Sequence, residues 1–250
     1  MTDDLLILYA VVASASSDAR QLLRQAAIEV STPVEIVDAE NAAAACRAVN
    51  KAEYVYLDAS LPDDDCAQVI SAARALPRPP FIVMLTAKGA VGTTRTADAI
   101  AALPTNTEEA KHLLERSIQA RLPSRVLIID DSSTMRSIVR KILSATRFPF
   151  EISEETEGVT AIKRAGDVAF DIVFLDYNMP GLSGLETLLE LKRQKRHMTI
   201  IMMSAAPGQA IAEEVRAHGA AFLKKPFYPA DVEAVLAQHY GLAALNAKRA

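Results

Sequence analysis

The chain has 250 residues, half of them apolar, and 27 Lys/Arg set against 31 Asp/Glu give a formal net charge of −4. That length suits one large core or two domains of about 120 residues each, and the acidic balance excludes a protein whose main task is to neutralise nucleic-acid phosphates. Cys46 and Cys66 have neither metal-ligand spacing nor partners for a disulfide framework, which points to the reducing cytoplasm.

The first apolar run, LLILYAVVA at 5–13, is followed by Ser14-Ala15 and imitates a signal-peptide core with its cleavage site. Asp3 and Asp4 have the wrong charge for the segment that precedes such a core, and nine apolar residues are too few to cross a bilayer as a helix. The run is therefore expected to be a buried first strand. Further along, Tyr54-Val55-Tyr56-Leu57-Asp58 with Pro62 is mirrored by Ile172-Val173-Phe174-Leu175-Asp176 with Pro180, and FIVMLT ending at Thr86 is mirrored by TIIMMS ending at Ser204. The spacing from acid to hydroxyl is 28 residues in both halves, so the chain reads as a tandem repeat. Residues 108–120 read as the last helix of the first half. About four residues, 121–124, then lead into the next strand, and a join that short predicts a defined interdomain contact.

In the second half the apolar pattern predicts strands near 125–130, 150–153, 171–176, 198–203 and 221–224, and helices near 133–145, 157–165, 184–195, 208–218 and 230–240. Ser132 and Ser133 offer N-cap oxygens to the first of these helices, and Gly219 stops the fourth. Val/Ile/Leu-rich strands alternating with helices are the signature of a parallel sheet covered on both faces. The predicted fold is α/β: two flavodoxin-like (βα)5 doubly wound domains in tandem, 1–121 and 122–250.

Asp130 and Asp131, Asp176, Ser204 and Lys225 each close a short apolar run, in RVLIIDD, DIVFLD, TIIMMS and AAFLKKP. Parallel strands bring such ends to one sheet edge, where open α/β folds place their sites. Two adjacent carboxylates and a third make a hard, oxygen-rich pocket suited to Mg²⁺, and a lysine and a hydroxyl suit a phosphoryl group. With these residues in this order, the segment from Arg125 to Tyr240 resembles the receiver domain of two-component response regulators, and DSSTMRSIVRKIL resembles the chemotaxis-type receivers. The resemblance implies that Asp176 is the phosphate acceptor and that Asp131, Asp176 and the Asn178 backbone carbonyl hold Mg²⁺, with Asp130 assisting through water. It also implies that Ser204 and Lys225 bind phosphoryl oxygens and that Phe222, three residues before the lysine, is the aromatic that turns inward on phosphorylation. The readout surface implied is 209–240.

The first half departs from that pattern. No carboxylate occurs from Leu5 through Ser17, so residues drawn from Val12 to Ala15 stand where the acidic pair stands later, and Leu103-Pro104 replaces Lys225-Pro226. Asp58 and Thr86 are the remnants of a degenerate site. Lys88, Arg95 and Asp18 are the candidates within sequence reach to restore charge to it. A pseudo-receiver with an interaction role is expected.

The resemblance implies a response regulator that takes phosphate from a sensor histidine kinase or histidine phosphotransfer protein and signals to a downstream protein, with neither nucleic acid nor membrane as partner. Only about ten residues follow Tyr240, so no DNA-binding or enzymatic output domain is expected, and an intramolecular receiver–receiver contact or a homodimer is open. The alternatives are a phosphorylation-independent adaptor and a phosphate sink. An aspartyl-phosphate phosphohydrolase fits less well, because that pattern needs a second acid two residues after the nucleophile, where Asn178 stands.

Overall fold

A computed structural model describes residues 7–88, 97–194, 198–205 and 209–242. The chain divides into two compact units, Met1–Arg121 with Tyr240–Ala250, and Leu122–His239. The first unit runs β1 (Leu8–Ala13), α1 (Ser17–Glu29), β2 (Val34–Ala39), α2 (Ala42–Ala48), β3 (Tyr54–Asp58), α3 (Asp63–Arg74), β4 (Phe81–Thr86), β5 (Ala99–Ala102) and α4 (Thr107–Gln119). The second runs β6 (Ser124–Ile129), α5 (Ser133–Ala145), β7 (Phe150–Glu155), α6 (Gly158–Asp167), β8 (Ile172–Asp176), α7 (Gly184–Arg193), β9 (Thr199–Ser204), α8 (Gln209–Ala217), β10 (Ala221–Lys224) and α9 (Pro229–His239).

Both sheets are parallel and five-stranded, ordered β2-β1-β3-β4-β5 and β7-β6-β8-β9-β10, the doubly wound flavodoxin-like order. Sequence dictates which strand lies where. YVYLD of β3 and IVFLD of β8 are buried at all five positions, as central strands covered on both faces must be. The mixed strands β2 and β7 lie at edges. One face of the second sheet packs Leu127, Val173, Leu175, Ile200 and Met202 against Leu188 and Leu191 of α7, and Val11, Val55, Leu57, Ile82 and Met84 do the same in the first.

Helix starts follow from local chemistry. Ser16, Asn41, Asn106 and Ser132 each accept a hydrogen bond from a backbone amide three residues on, and Ser183 with Glu186 forms a full capping box on α7. Gly219, at φ +68, ends α8 as expected. The strand β7 outruns its apolar pattern to reach Glu155. Its last two acids pair with β6 on one side, and their carboxylates are held by Arg136, Arg140 and Arg164 rather than released to solvent.

Register sets the site. Ile129 lies beside Leu175, Asp176 beside Met203 and Ser204 beside Lys224, so four strands of the second unit end together. The first unit ends in the same way, with Ala13 beside Leu57, Asp58 beside Leu85 and Thr86 beside Ala102.

Candidate functional site

At the C-terminal edge of the second sheet, Asp130, Asp131 and Asp176 each offer a carboxylate oxygen, and these oxygens lie within 4.8 Å of one another. Asp130 and Asp176 are buried, at 1% and 5% exposure, whereas Asp131 is open to solvent. Lys225 follows β10 and places its Nζ 2.8 Å from Asp130 Oδ2 and 2.9 Å from Asp176 Oδ1. Asp130 Oδ1 accepts from the Ser132 amide at 2.9 Å. Burial pushes the Asp176 carboxyl above its ordinary range; the Asp130 charge adds to that push, and Lys225 opposes it. Burial also penalises the Lys225 ammonium, but its bonds to Asp130 and Asp176 outweigh this and hold it above its usual value.

Of the remaining predicted residues, Ser204 and Asn178 lie at the same sheet edge, and Phe222 lies two residues before the end of β10. Ser204 is buried at the end of β9, and its carbonyl accepts from the Lys225 amide at 2.7 Å. Asn178 is exposed on the loop after β8. That loop is fixed by two backbone bonds, Tyr177 N to Met203 O and Gly184 N to Tyr177 O, and by the bare Cα of Gly184. A Cβ there would lie 2.2 Å from the Asp176 carbonyl oxygen and 2.7 Å from Tyr177 Cα, so α7 can start this close to the Asp176 turn only with glycine. Phe222 is half-buried on β10, packed against the core, and lines a groove with Thr199, Arg216, Val235 and His239.

Three carboxylates against one ammonium leave a surplus of negative charge, and the donors are all hard oxygens with one side open to water. This donor set fits Mg²⁺, which keeps several waters and takes a few carboxylates. Among the described residues no other group of three acidic, His or Cys side chains is arranged for a metal.

The first unit resolves what its sequence left open between Val12 and Ala15. The Ser14 amide donates to Ala39 O as that of Asp130 does to Glu155 O, and Ser14 Oγ accepts from the Ser16 amide as Asp130 Oδ1 does from that of Ser132. Ser14 and Ala15 therefore occupy the places of Asp130 and Asp131. The Leu103 amide donates to Thr86 O as that of Lys225 does to Ser204 O, which sets Leu103 in the lysine's place. Asp58, 3% exposed, accepts from Ser14 Oγ and, at 2.9 Å, from the Ser60 amide. Thr86 Oγ1 turns to the Ala101 carbonyl at 3.5 Å. Asp18 is exposed beside Ser17, Lys88 lines a groove with Glu109 and His112 of α4, and Arg95 lies outside the described residues.

Sequence reasoning missed the side chains that hold the turn after β6. Arg136 donates through Nη1 to the carbonyl of Asp130 at 2.8 Å and of Asp131 at 3.4 Å, and through Nε to Glu154 at 2.9 Å. Arg140 holds the other Glu154 oxygen. Burial alone would raise the Glu154 carboxyl, but its bonds to Arg140 and Arg136 prevail and bring it below the usual range. A signal did exist: Arg20, Arg24 and Asp38 stand at the same spacing in the first half, where Arg20 donates to Ser14 O and Arg24 pairs with Asp38.

Residues 126–237 match the response regulator receiver domain family. Chemotaxis protein CheY-3 of Vibrio cholerae is 33% identical over 112 residues, 44% of this chain and 85% of that protein. Chemotaxis protein CheY of Thermotoga maritima is 34% identical over 110 residues, 43% of this chain and 90% of that protein. A solved structure described as a probable two-component system response regulator/GGDEF domain protein aligns with 94% of this chain and 98% of its own at TM-score 0.57 and 21% identity, a likeness of fold that takes in both units. Only the second half carries the family match, so the first unit shares the fold without the sequence signature. Among the described residues no helix is long and apolar enough to cross a membrane.

Proposed function

This chain belongs to the response regulator receiver family of two-component signalling, whose domains are phosphoacceptors rather than catalysts, and from that premise we propose that Asp176 accepts a phosphoryl group from a phosphohistidine on a sensor histidine kinase or histidine phosphotransfer protein. The observation that carries this reading is Lys225 Nζ held between Asp130 and Asp176 beside the third carboxylate of Asp131. Asp131 and Asp176, with the Asn178 carbonyl, would hold Mg²⁺, and Asp130 would assist through water; the ion, when bound, supplies positive charge to the phosphoryl oxygens. A carboxylate oxygen of Asp176 attacks phosphorus in line, the new P–O bond forms as the P–N bond breaks, and the imidazole nitrogen leaves with the electron pair and takes up a proton. Such a transfer needs positioning and charge neutralisation more than covalent chemistry. Lys225 neutralises one equatorial oxygen and the Ser204 hydroxyl donates to another. Phe222, half-buried on β10 beside Met202, reports the change to the surface of α8, β10 and α9, and the signal passes to a partner protein.

The first unit acts, on the same reading, as a pseudo-receiver. Its one central carboxylate is satisfied by Ser14 and the Ser60 amide, and it has neither the acidic pair nor the lysine. An interaction role, on the domain division 1–121 and 122–250, follows.

Incubation of the full chain with acetyl phosphate and Mg²⁺, read by phosphate-affinity electrophoresis and borohydride trapping, tests both statements. One modification lost in Asp176→Asn and kept in Asp58→Asn is expected. Modification of Asp58 would give the first unit a working site, and modification of neither residue by acetyl phosphate or a phosphorylated kinase would favour the adaptor.

A further inference from the structure

Granting the phosphoacceptor role of Asp176, we infer that Arg136 is a positioning residue for the metal-binding turn, acting through the carbonyls of Asp130 and Asp131 rather than through its charge. The turn after β6 carries two of the three clustered carboxylates, yet the side chain of Asp131 is exposed and has little around it to fix its direction. Its backbone, by contrast, is gripped. Arg136 spans both carbonyls with one nitrogen and Glu154 with another, and Glu154 is itself anchored by Arg140. The Arg136 side chain is 15% exposed and that of Glu154 27%, so the linkage is shielded enough to be directional. It runs from the edge strand β7 across α5 to the turn, and it fixes where the carboxylates leave the main chain.

The first unit supplies the internal comparison. Arg20 donates to the Ser14 carbonyl and Arg24 pairs with Asp38, so the arginine bond to the turn carbonyl recurs on a turn that has no acids to present. The arginine–carbonyl bond is thus a device for shaping the turn, and only in the second unit does that shape bear on metal ligands.

Charge and position predict opposite signs for one measurement. Arg136 is a cation near a cation site, so a purely electrostatic role means that Arg136→Gln tightens Mg²⁺ binding. A positioning role means that it weakens binding, by about tenfold, the lower end of what loss of an outer-shell partner does to metal affinity. The test is Mg²⁺ titration of the full chain, followed by the amide shifts of residues 130–132 and by calorimetry. Expected are a tenfold rise in Kd for Arg136→Gln, a smaller rise for Glu154→Gln, and no further rise in the double variant, because both lie in one linkage. Arg136→Lys keeps the charge and loses the fork, so a raised Kd there supports the inference even if the Gln variant does not fold. Arg20→Gln should lower the melting temperature of its own unit and leave Kd unchanged. An unchanged or tighter Kd in Arg136→Lys or Arg136→Gln, with or without a fall in melting temperature, overturns the positioning role. Absence of Mg²⁺ binding in the unaltered chain would instead overturn the phosphoacceptor reading on which it rests.

Discussion

Replacing Lys225 with methionine removes the one cation between two buried carboxylates while keeping most of the side chain's volume. The lysine side chain is 16% exposed, Asp130 1% and Asp176 8%, so solvent screens little of what remains. Like charges with oxygens up to 4.8 Å apart repel by roughly 3.5 kcal/mol at an effective dielectric of about 20. Breaking a buried ion pair by removing one partner costs about 3–5 kcal/mol. Both routes give a loss of about 3–4 kcal/mol at pH 7 without Mg²⁺, or roughly 12–16 °C in melting temperature for a unit of about 120 residues. The pH dependence supplies a second readout. Asp176 already lies above its ordinary 3.8, and losing Lys225 raises it further. A raised carboxyl contributes stability that is complete below the unfolded value and lost as pH rises through the folded one. The deficit of the variant should therefore be large at pH 7 and shrink as pH falls toward 3.8. Lys225, also raised, stabilises the unaltered protein below its unfolded value of 10.5 and loses that effect as pH rises through its folded value. Calorimetry in EDTA measures the loss, the relevant transition being the one that Mg²⁺ raises. A loss under about 1 kcal/mol at pH 7, well below the buried-pair cost, or an equal loss at acid pH, would refute the electrostatic account.

Gly184→Ala should cost about 2–3 kcal/mol through overpacking, because the new Cβ meets the backbone of Asp176 and Tyr177; Gly166→Ala, where a Cβ meets nothing within 4 Å, should be neutral or stabilise by up to about 1 kcal/mol in urea unfolding. Ser14→Ala withdraws a donor from buried Asp58 and should lower the transition that Mg²⁺ does not raise by about 1.5–3 kcal/mol, the worth of a hydrogen bond to a charged group. His239 is held below its ordinary 6.5 by burial, against the pull of Asp171, with Nδ1 2.7 Å from Thr199 Oγ1. Its contribution is complete above 6.5 and lost as pH falls through the folded value, so His239→Gln should flatten the stability profile on the acid side of pH 6.5.

The strand ends of the second half were legible because each joins two independent signals, an apolar run too short for a helix and a polar residue at its close. The expected helix at 133–145 and the observed α5, Ser133–Ala145, agree because Ser132 caps one end and the apolar period fades at the other. The first unit's site was legible only as a loss. An apolar run does not say which residue leaves the strand, and the place of Ser14 became fixed only through its bond to the carbonyl of Ala39 on a strand about 25 residues away. Arg136 and Glu154 were illegible for a different reason. A basic residue on a helix and an acid on an edge strand read as solvated charge, and what distinguishes them is the direction in which one guanidinium forks.

The two units therefore differ in charge more than in scaffold. Sheet order, register, the serine cap of the first helix and the arginine bond to the turn carbonyl are shared, down to the amide bonds that place Ser14 with Asp130 and Leu103 with Lys225. In the second unit, three carboxylates and one lysine leave the pocket anionic and unsettled, a state that a divalent cation or a phosphoryl group with its counter-ion completes. In the first, a neutral hydroxyl has replaced an acid, and the surviving Asp58 is bonded within its own pocket. Restoring Asp at position 14 alone would set two buried carboxylates together without the lysine. It would destabilise that unit for the same reason that Lys225→Met destabilises the other, and so the two pockets are separated by at least two coupled changes rather than one.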